Sequence, residues 1–234
     1  MTSNLNQLGL LPELKALAIF NDFSDEEIQS LCQKSQVTVC SHRQSLFLQG
    51  DSANFFYIVL NGAFKLTKPS LNGEDIIMHF SPPGDVIAAL IMPSKSPVYP
   101  VSAISMGPSR CIKLQRDVYL SHWKTNHQLV LRIQNLLTTR MVALQQQKAL
   151  NKAPLATKVA SLLIYLADKQ LNNETPNVPI PLTRKEIADS IGSTVESVIR
   201  VMSDWSKKGY ISTTDQHITI LKTSKMVELM SSDS

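Results

Sequence analysis

The stretch Leu182–Ile211 reads LTRKEIADSIGSTVESVIRVMSDWSKKGYI and predicts two short helices joined by a tight turn at Gly192. Thr183 and Glu186 stand three residues apart, the spacing of a capping box, in which a hydroxyl and a carboxylate satisfy each other's backbone N–H groups. Ile187 and Ile191 then share one face of the first helix. Gly192 can take the positive φ that the turn requires. Ser193 or Thr194 can cap the second helix, and Val198, Val201, Met202 and Trp205 give it an apolar stripe. Thr194, Val195, Glu196, Ser197 and Arg200 are left for the outer side near its N-terminus. A helix-turn-helix lays that end of its second helix against base edges in the major groove. Arg200 carries the paired donors that guanine accepts, and Glu196 an acceptor for the cytosine amino group.

Capped amphipathic helices also pack ordinary cores, so the pair of helices does not decide by itself. The residues beyond the second helix do. Lys207 and Lys208 occupy its last turn, where cations complement the helix dipole, and Gly209 stops it. Tyr210–Thr213 and His217–Leu221 read as strands around a polar turn at Thr214-Asp215-Gln216. Two helices and a hairpin make a winged helix, which suits double-stranded DNA better than generic packing.

The chain has 234 residues, room for two small domains. No apolar run approaches a membrane span, and no basic segment followed by an apolar core marks a secretory signal, so a cytoplasmic protein without a membrane partner is expected. Cys32, Cys40 and Cys111 form no Cys-x-x-Cys pair, which argues for free buried thiols and against a zinc or iron–sulfur cradle. The net charge of +4 discriminates little, because acids and bases balance from Pro154 onward and the excess sits at Arg132, Arg140, Lys148 and Lys152. DNA binding therefore rests on the placement of Arg184, Lys185, Arg200, Lys207 and Lys208.

Upstream, Ser24-Asp25-Glu26-Glu27 is a capping box that opens a short helix. Seven short strands are expected next: Val37–Cys40, Ser45–Leu48, Phe55–Leu60, Ala63–Thr67, Asp75–Phe80, Val101–Ser105 and Ser109–Leu114. Asn61-Gly62 and Asn72-Gly73 are hairpin signals between them. Many short strands at close spacing predict a small barrel or jelly roll. Asn126 to about Lys152 reads as one long helix. Val130, Leu137 and Leu144 lie seven apart, and Ile133 and Met141 complete a coiled-coil seam for a second copy of the chain. Pro154 marks a hinge, Ala156–Leu171 another amphipathic helix, and Asn172–Pro181 a loop.

This order of parts resembles the Crp/Fnr family of bacterial transcription regulators from about Leu17 to Leu221. The motifs that carry the resemblance are Phe55-Phe56-Tyr57-Ile58-Val59-Leu60-Asn61-Gly62, Pro83-Gly84-Asp85-Val86-Ile87 and the helix-turn-helix. It implies an α+β architecture: an N-terminal jelly-roll β-barrel of the cyclic-nucleotide-binding type (residues 1–125), a long dimerisation helix (126–152) and a C-terminal winged helix (153–234). It further implies a homodimer on an inverted-repeat site, a signal sensed by the barrel, and contact with RNA polymerase if the regulator activates. Glu196 and Arg200 match the pair that members use to read a G·C pair in a TGA-type half-site. Val195 matches the fumarate–nitrate branch, whereas Ile199 departs from the Ser found there. Thr183, Arg184, Thr194, Ser197, Lys207 and Lys208 complete the expected DNA surface.

The effector pocket departs further. Members that bind cyclic nucleotides have Gly-Glu-Leu followed by an Arg-Ser pair; here the first element is Ala88-Ala89-Leu90 and the second falls near Pro97-Val98. A buried phosphate without a cation costs heavily, so cyclic AMP is not expected. Leu144 and Gln145 stand where such members place small polar residues over the base. The effector is left unknown and no cofactor is expected. The N-terminal cysteine cluster of iron–sulfur members is lacking, and His79 is the one histidine from Ala53 to Leu114 available to a haem. A haem- or redox-sensing regulator of this fold is the alternative, followed by an interaction scaffold that does not bind DNA. An enzyme is not expected: no His-x-His serves a cupin metal site, no Gly-x-Ser-x-Gly a nucleophile, and no Walker loop a phosphate.

Overall fold

The computed structural model describes residues 9–70, 75–167 and 176–231. Contacts gather into two compact units, one running up to Lys68 and over Met78–Thr138, the other holding Pro69–Ile77 and the chain from Thr139. The division falls inside the long helix, which the sequence reading sets apart as a piece of its own.

In the first unit, helices α1 (Leu11–Lys15) and α2 (Asp25–Leu31) precede the strands. Ser24 caps α2 through the expected box, Glu27 N–H to Ser24 Oγ at 3.2 Å and Ser24 N–H to Glu27 Oε2 at 2.8 Å. Strands β1 (Gln36–Cys40), β2 (Ser45–Phe47), β3 (Phe55–Asn61), β4 (Phe64–Pro69), β5 (Asp75–Ser81), β6 (Val86–Ile87), β7 (Ser102–Ser105) and β8 (Ser109–Gln115) form two four-stranded sheets, β1-β8-β3-β6 and β2-β7-β4-β5. β1 pairs antiparallel with β8, and β2 with β7, so the chain wraps first strand to last and second to last but one. That is the winding of a jelly roll, with two facing sheets rather than a closed barrel.

Two turn expectations need correction or fall away. Asn61-Gly62 makes no hairpin: β3 and β4 lie in different sheets, and the turn carries the chain across. Gly62 has φ 73°, and a Cβ there would sit 2.4 Å from Ser109 Oγ and 2.6 Å from the Pro108 carbonyl. The glycine thus serves a close crossing, not only a twist. Asn72-Gly73 lies outside the described residues. β6, too short to show a period, pairs Ile87 with Tyr57 and Val86 with Ile58.

Alternation along β3 and β8 aims Phe56, Ile58, Ile112 and Leu114 at a helical layer, where all four are fully buried. Phe56 meets Trp123 edge to face at 4.8 Å, and Trp123 donates to the Leu31 carbonyl at 2.7 Å. Burying a side chain of this size is worth about 1.5–3 kcal/mol. After α3 (Arg116–Val118), the long helix α4 (His127–Ala149) joins the same core through Leu129 and Ile133. Arg132 anchors it by donating to the Ile19 carbonyl at 2.9 Å. Ile133, expected in an interchain seam, is 7% exposed and packs in the core of its own jelly roll.

In the second unit, α5 (Leu155–Ala167), α6 (Arg184–Ile191) and α7 (Val195–Lys207) are followed by β9 (Ile211–Thr214), β10 (His217–Ile220) and α8 (Thr223–Ser231). α8, which the sequence reading leaves out, packs on α5, and Thr157 Oγ1 donates to the Leu229 carbonyl at 2.9 Å. The expected loop Asn172–Pro181 is partly outside the described residues; its remainder runs beside β10, joined to it by an isolated bridge between Asn177 and Thr219. Val178 N–H donates to the Ile218 carbonyl and Leu182 N–H to that of Gln216. Val178, Ile180 and Leu182 are buried, while Pro179 and Pro181 take the alternate positions, where the backbone needs no N–H donor.

Candidate nucleic-acid interface

The reading helix is fixed at both of its approaches. Thr183 caps α6, Glu186 N–H donating to Thr183 Oγ1 at 3.1 Å and Thr183 N–H to Glu186 Oε2 at 3.0 Å. Gly192 then takes φ 65° and turns the chain. Of the two expected caps for α7, Thr194 is the one used: its Oγ1 accepts from Ser197 N–H at 3.3 Å. Val198, Met202 and Trp205 are buried beneath α7. Each link is local, so the orientation of α7 follows from a short run of sequence.

These constraints leave Glu196, Ile199 and Arg200 exposed at the start of α7, with Val195 and Ser197 half-buried. Ser203, which the sequence reading omits, lies seven residues after Glu196 and three after Arg200 on the same exposed face. Its helical spacing is the signal that identifies it. The expected DNA residues divide by how they are engaged. Thr183 and Thr194 spend their hydroxyls on caps. Arg184 is half-buried and donates to Thr213 Oγ1 on β9 at 3.2 Å, tying the first helix to the wing. Burial lowers its pKa below the ordinary value. Lys208 is paired with Asp204 at 2.7 Å, and that hydrogen bond raises the ammonium pKa above its usual value. Lys207 is exposed.

The wing is tighter than expected. His217 pairs with Thr214, so the turn is the two residues Asp215-Gln216, with φ 48° and 68°. Positive φ at both positions matches the twist of the flanking strands. Thr214, Asp215, Gln216 and His217 form an exposed polar tip.

Of the residues expected to line a degenerate effector pocket, Ala88, Ala89, Leu90, Pro97 and Val98 lie on the jelly roll. Ala88 has φ 67°, a conformation that favours glycine, and leads into a single turn over Ala89–Ile91. Leu90 and Val98 are exposed, Ala89 is buried and Pro97 half-buried. Arg116 reaches this segment but donates to the carbonyls of Met92 at 2.9 Å and Ser94 at 2.7 Å. Between the sheets, Phe47 stacks on Tyr99 with centroids 3.8 Å apart and on Tyr57 at 5.7 Å. These rings fill the interior at that level. On α4, Leu144 and Gln145 are both exposed.

His79 Nε2 lies 3.1 Å from Asp85 Oδ2, with both side chains largely buried. All three cysteines are free and buried. Desolvation pushes the Cys111 thiol up to about 12 and raises those of Cys32 and Cys40 as well. Among the described residues no cluster of His, Cys, Asp and Glu could hold a metal ion, and no helix is long and apolar enough to cross a membrane.

Comparison with known proteins agrees with this architecture. The cyclic nucleotide-binding domain matches residues 38–126, and the Crp-like helix-turn-helix domain matches residues 157–229. The transcriptional activatory protein AadR of Rhodopseudomonas palustris is 26% identical over 85% of this chain and 82% of its own length. The nitrogen fixation regulation protein FixK of Bradyrhizobium diazoefficiens is 26% identical over 81% of this chain and 79% of its own. The structure of FixK2 from Bradyrhizobium japonicum superposes with a TM-score of 0.70 at 18% identity, covering 83% of this chain and 96% of that one. With both domains present in that order, on a jelly roll and a winged helix, the chain belongs to the Crp/Fnr family of DNA-binding transcription regulators.

Proposed function

We propose that the chain works as a homodimer that reads an inverted repeat with TGA-like half-sites in double-stranded DNA. The observation that carries this reading is the exposed row of Glu196 and Arg200, one turn apart at the capped start of α7. Arg200 donates twice to guanine O6 and N7 while Glu196 accepts from the cytosine amino group, so one G·C pair is recognised from both bases. Exposed Met141 and Leu144 and half-buried Val130 and Leu137 supply the face of α4 for a second copy. A two-fold dimer then spaces its reading helices about 34–36 Å apart, one turn of DNA. Val195 favours TTGA-like over TGTGA-like half-sites, because a cation in its place is what reads the additional guanine. The direct test is selection of bound sequences from a random pool. An inverted repeat with TGA-like halves is expected, and a consensus without symmetry rejects the dimer reading.

The jelly roll answers to something other than cyclic AMP. Ala89 supplies no carboxylate for a ribose, and Pro97 and Val98 supply no cation for a phosphate. Haem or thiol sensing is not favoured either, since His79 is held by Asp85 and the thiols are buried and hard to ionise. A pure scaffold leaves the charged outer row of α7 without a purpose. The regulator acts in the cytoplasm, without enzymatic activity or a membrane partner, and meets RNA polymerase where it activates.

A further inference from the structure

We propose that Ile199 reads the 5-methyl group of a thymine beside the G·C pair contacted by Arg200, an assignment that rests on the reading of α7 above. Ile199 is 46% exposed although the helix has already buried Val198, Met202 and Trp205 against its own core. It is not needed to complete that core. It sits three residues after Glu196 and directly before Arg200, and half-buried Val195 lies one turn earlier in the same row. The outer side of α7 therefore carries two parallel rows, a charged one of Glu196 and Arg200 and an apolar one of Val195 and Ile199. A β-branched side chain in a helix holds essentially one χ1 rotamer, so Ile199 presents its methyl groups in a fixed position. Base edges in the major groove are chiefly donors and acceptors, and the thymine methyl is the apolar group that projects furthest from them. Against that methyl Ile199 buries apolar surface on both partners. Against any other edge it strips water from groups that it cannot hydrogen-bond. Attraction and penalty thus select the same base.

The test starts from the site that the full-length chain selects out of a random pool. Thymines of one half-site are replaced singly by deoxyuridine, which removes the methyl and keeps the pairing, and binding is followed by fluorescence anisotropy. One position is expected to weaken binding about fourfold, the worth of one buried methyl group. Ile199→Ala should abolish that sensitivity and Ile199→Val should keep it; the site is exposed, so both variants fold. Equal affinity for every substituted site overturns the contact, as does an undiminished loss at the same thymine in Ile199→Ala. A pool that yields no consensus overturns the reading of α7 itself, whereas a symmetric consensus without an Ile199-dependent thymine overturns only this contact.

Discussion

At Arg200 and the residues around it, burial separates structural roles from reading roles. Arg200→Ala leaves the core under α7 intact and should remove roughly 1–3 kcal/mol of discrimination per half-site at one guanine. Competition between the selected site and its guanine-substituted variant measures this, and an unchanged preference rejects the contact. The two lysines at the end of α7 should differ, because Lys208 is held by Asp204 and Lys207 has no such pair among the described residues. Lys207→Ala should weaken all DNA sequences alike and lower the slope of log affinity against log salt by about one per chain; Lys208→Ala should change that slope less. Gly62 is a third kind of residue, fixed by space as well as by φ. Gly62→Ala drives a Cβ into Ser109 and the Pro108 carbonyl. Its expected cost is about 1–3 kcal/mol, the range for strained backbone positions, read as a fall in the denaturant midpoint. Little of this is legible in the sequence alone. The sequence marks Thr183 and Lys208 as readily as Arg200, and only the structure shows which polar groups are already committed.

Among the elements, helices with local punctuation were legible and pairings between distant strands were not. Ser24 and Glu27, Thr183 and Glu186, and Gly192 all act within one turn of themselves, and the structure places each as its spacing implies. The hairpin read at Asn61-Gly62 failed because a turn sets the local twist, whereas the winding of the whole roll decides which sheet receives the next strand. The long helix shows the same limit. A heptad pattern cannot tell which apolar residues face the chain's own core. Leu129 and Ile133 are buried in it, while Met141, Val142 and Leu144 are 45–57% exposed. The two groups should therefore respond differently. Ile133→Ala is expected to destabilise the first unit by about 2–5 kcal/mol without changing the oligomeric state. Leu137→Asp is expected to dissociate the dimer while leaving each chain folded. Light scattering at micromolar concentration and thermal unfolding together separate the cases; a dimeric Leu137→Asp moves the seam elsewhere.

For the whole molecule, the family match and the chemistry of the jelly roll diverge. The jelly roll carries the match to a cyclic nucleotide-binding domain, yet a fold does not fix what its site binds. Recognition of a cyclic nucleotide needs a cation for its phosphate and acceptors for its ribose hydroxyl. The segment where members carry these groups has Ala89 in one position and Pro97 and Val98 in the other. The guanidinium that reaches this segment, Arg116, is engaged by two backbone carbonyls that an anion would have to displace. The stacked rings of Phe47, Tyr99 and Tyr57 pack between the sheets and offer neither a cation nor a carboxylate there. Cyclic AMP and cyclic GMP at millimolar concentration should therefore give no binding heat, and neither should raise the affinity for the selected DNA site. Both measurements are needed, because a ligand that binds the two conformations of a regulator equally shifts nothing. Saturable heat from either nucleotide would show that the roll recruits its cation from outside the segment of Ala89, Pro97 and Val98. Absence of heat together with full affinity for the site would place control of this regulator outside the nucleotide pocket.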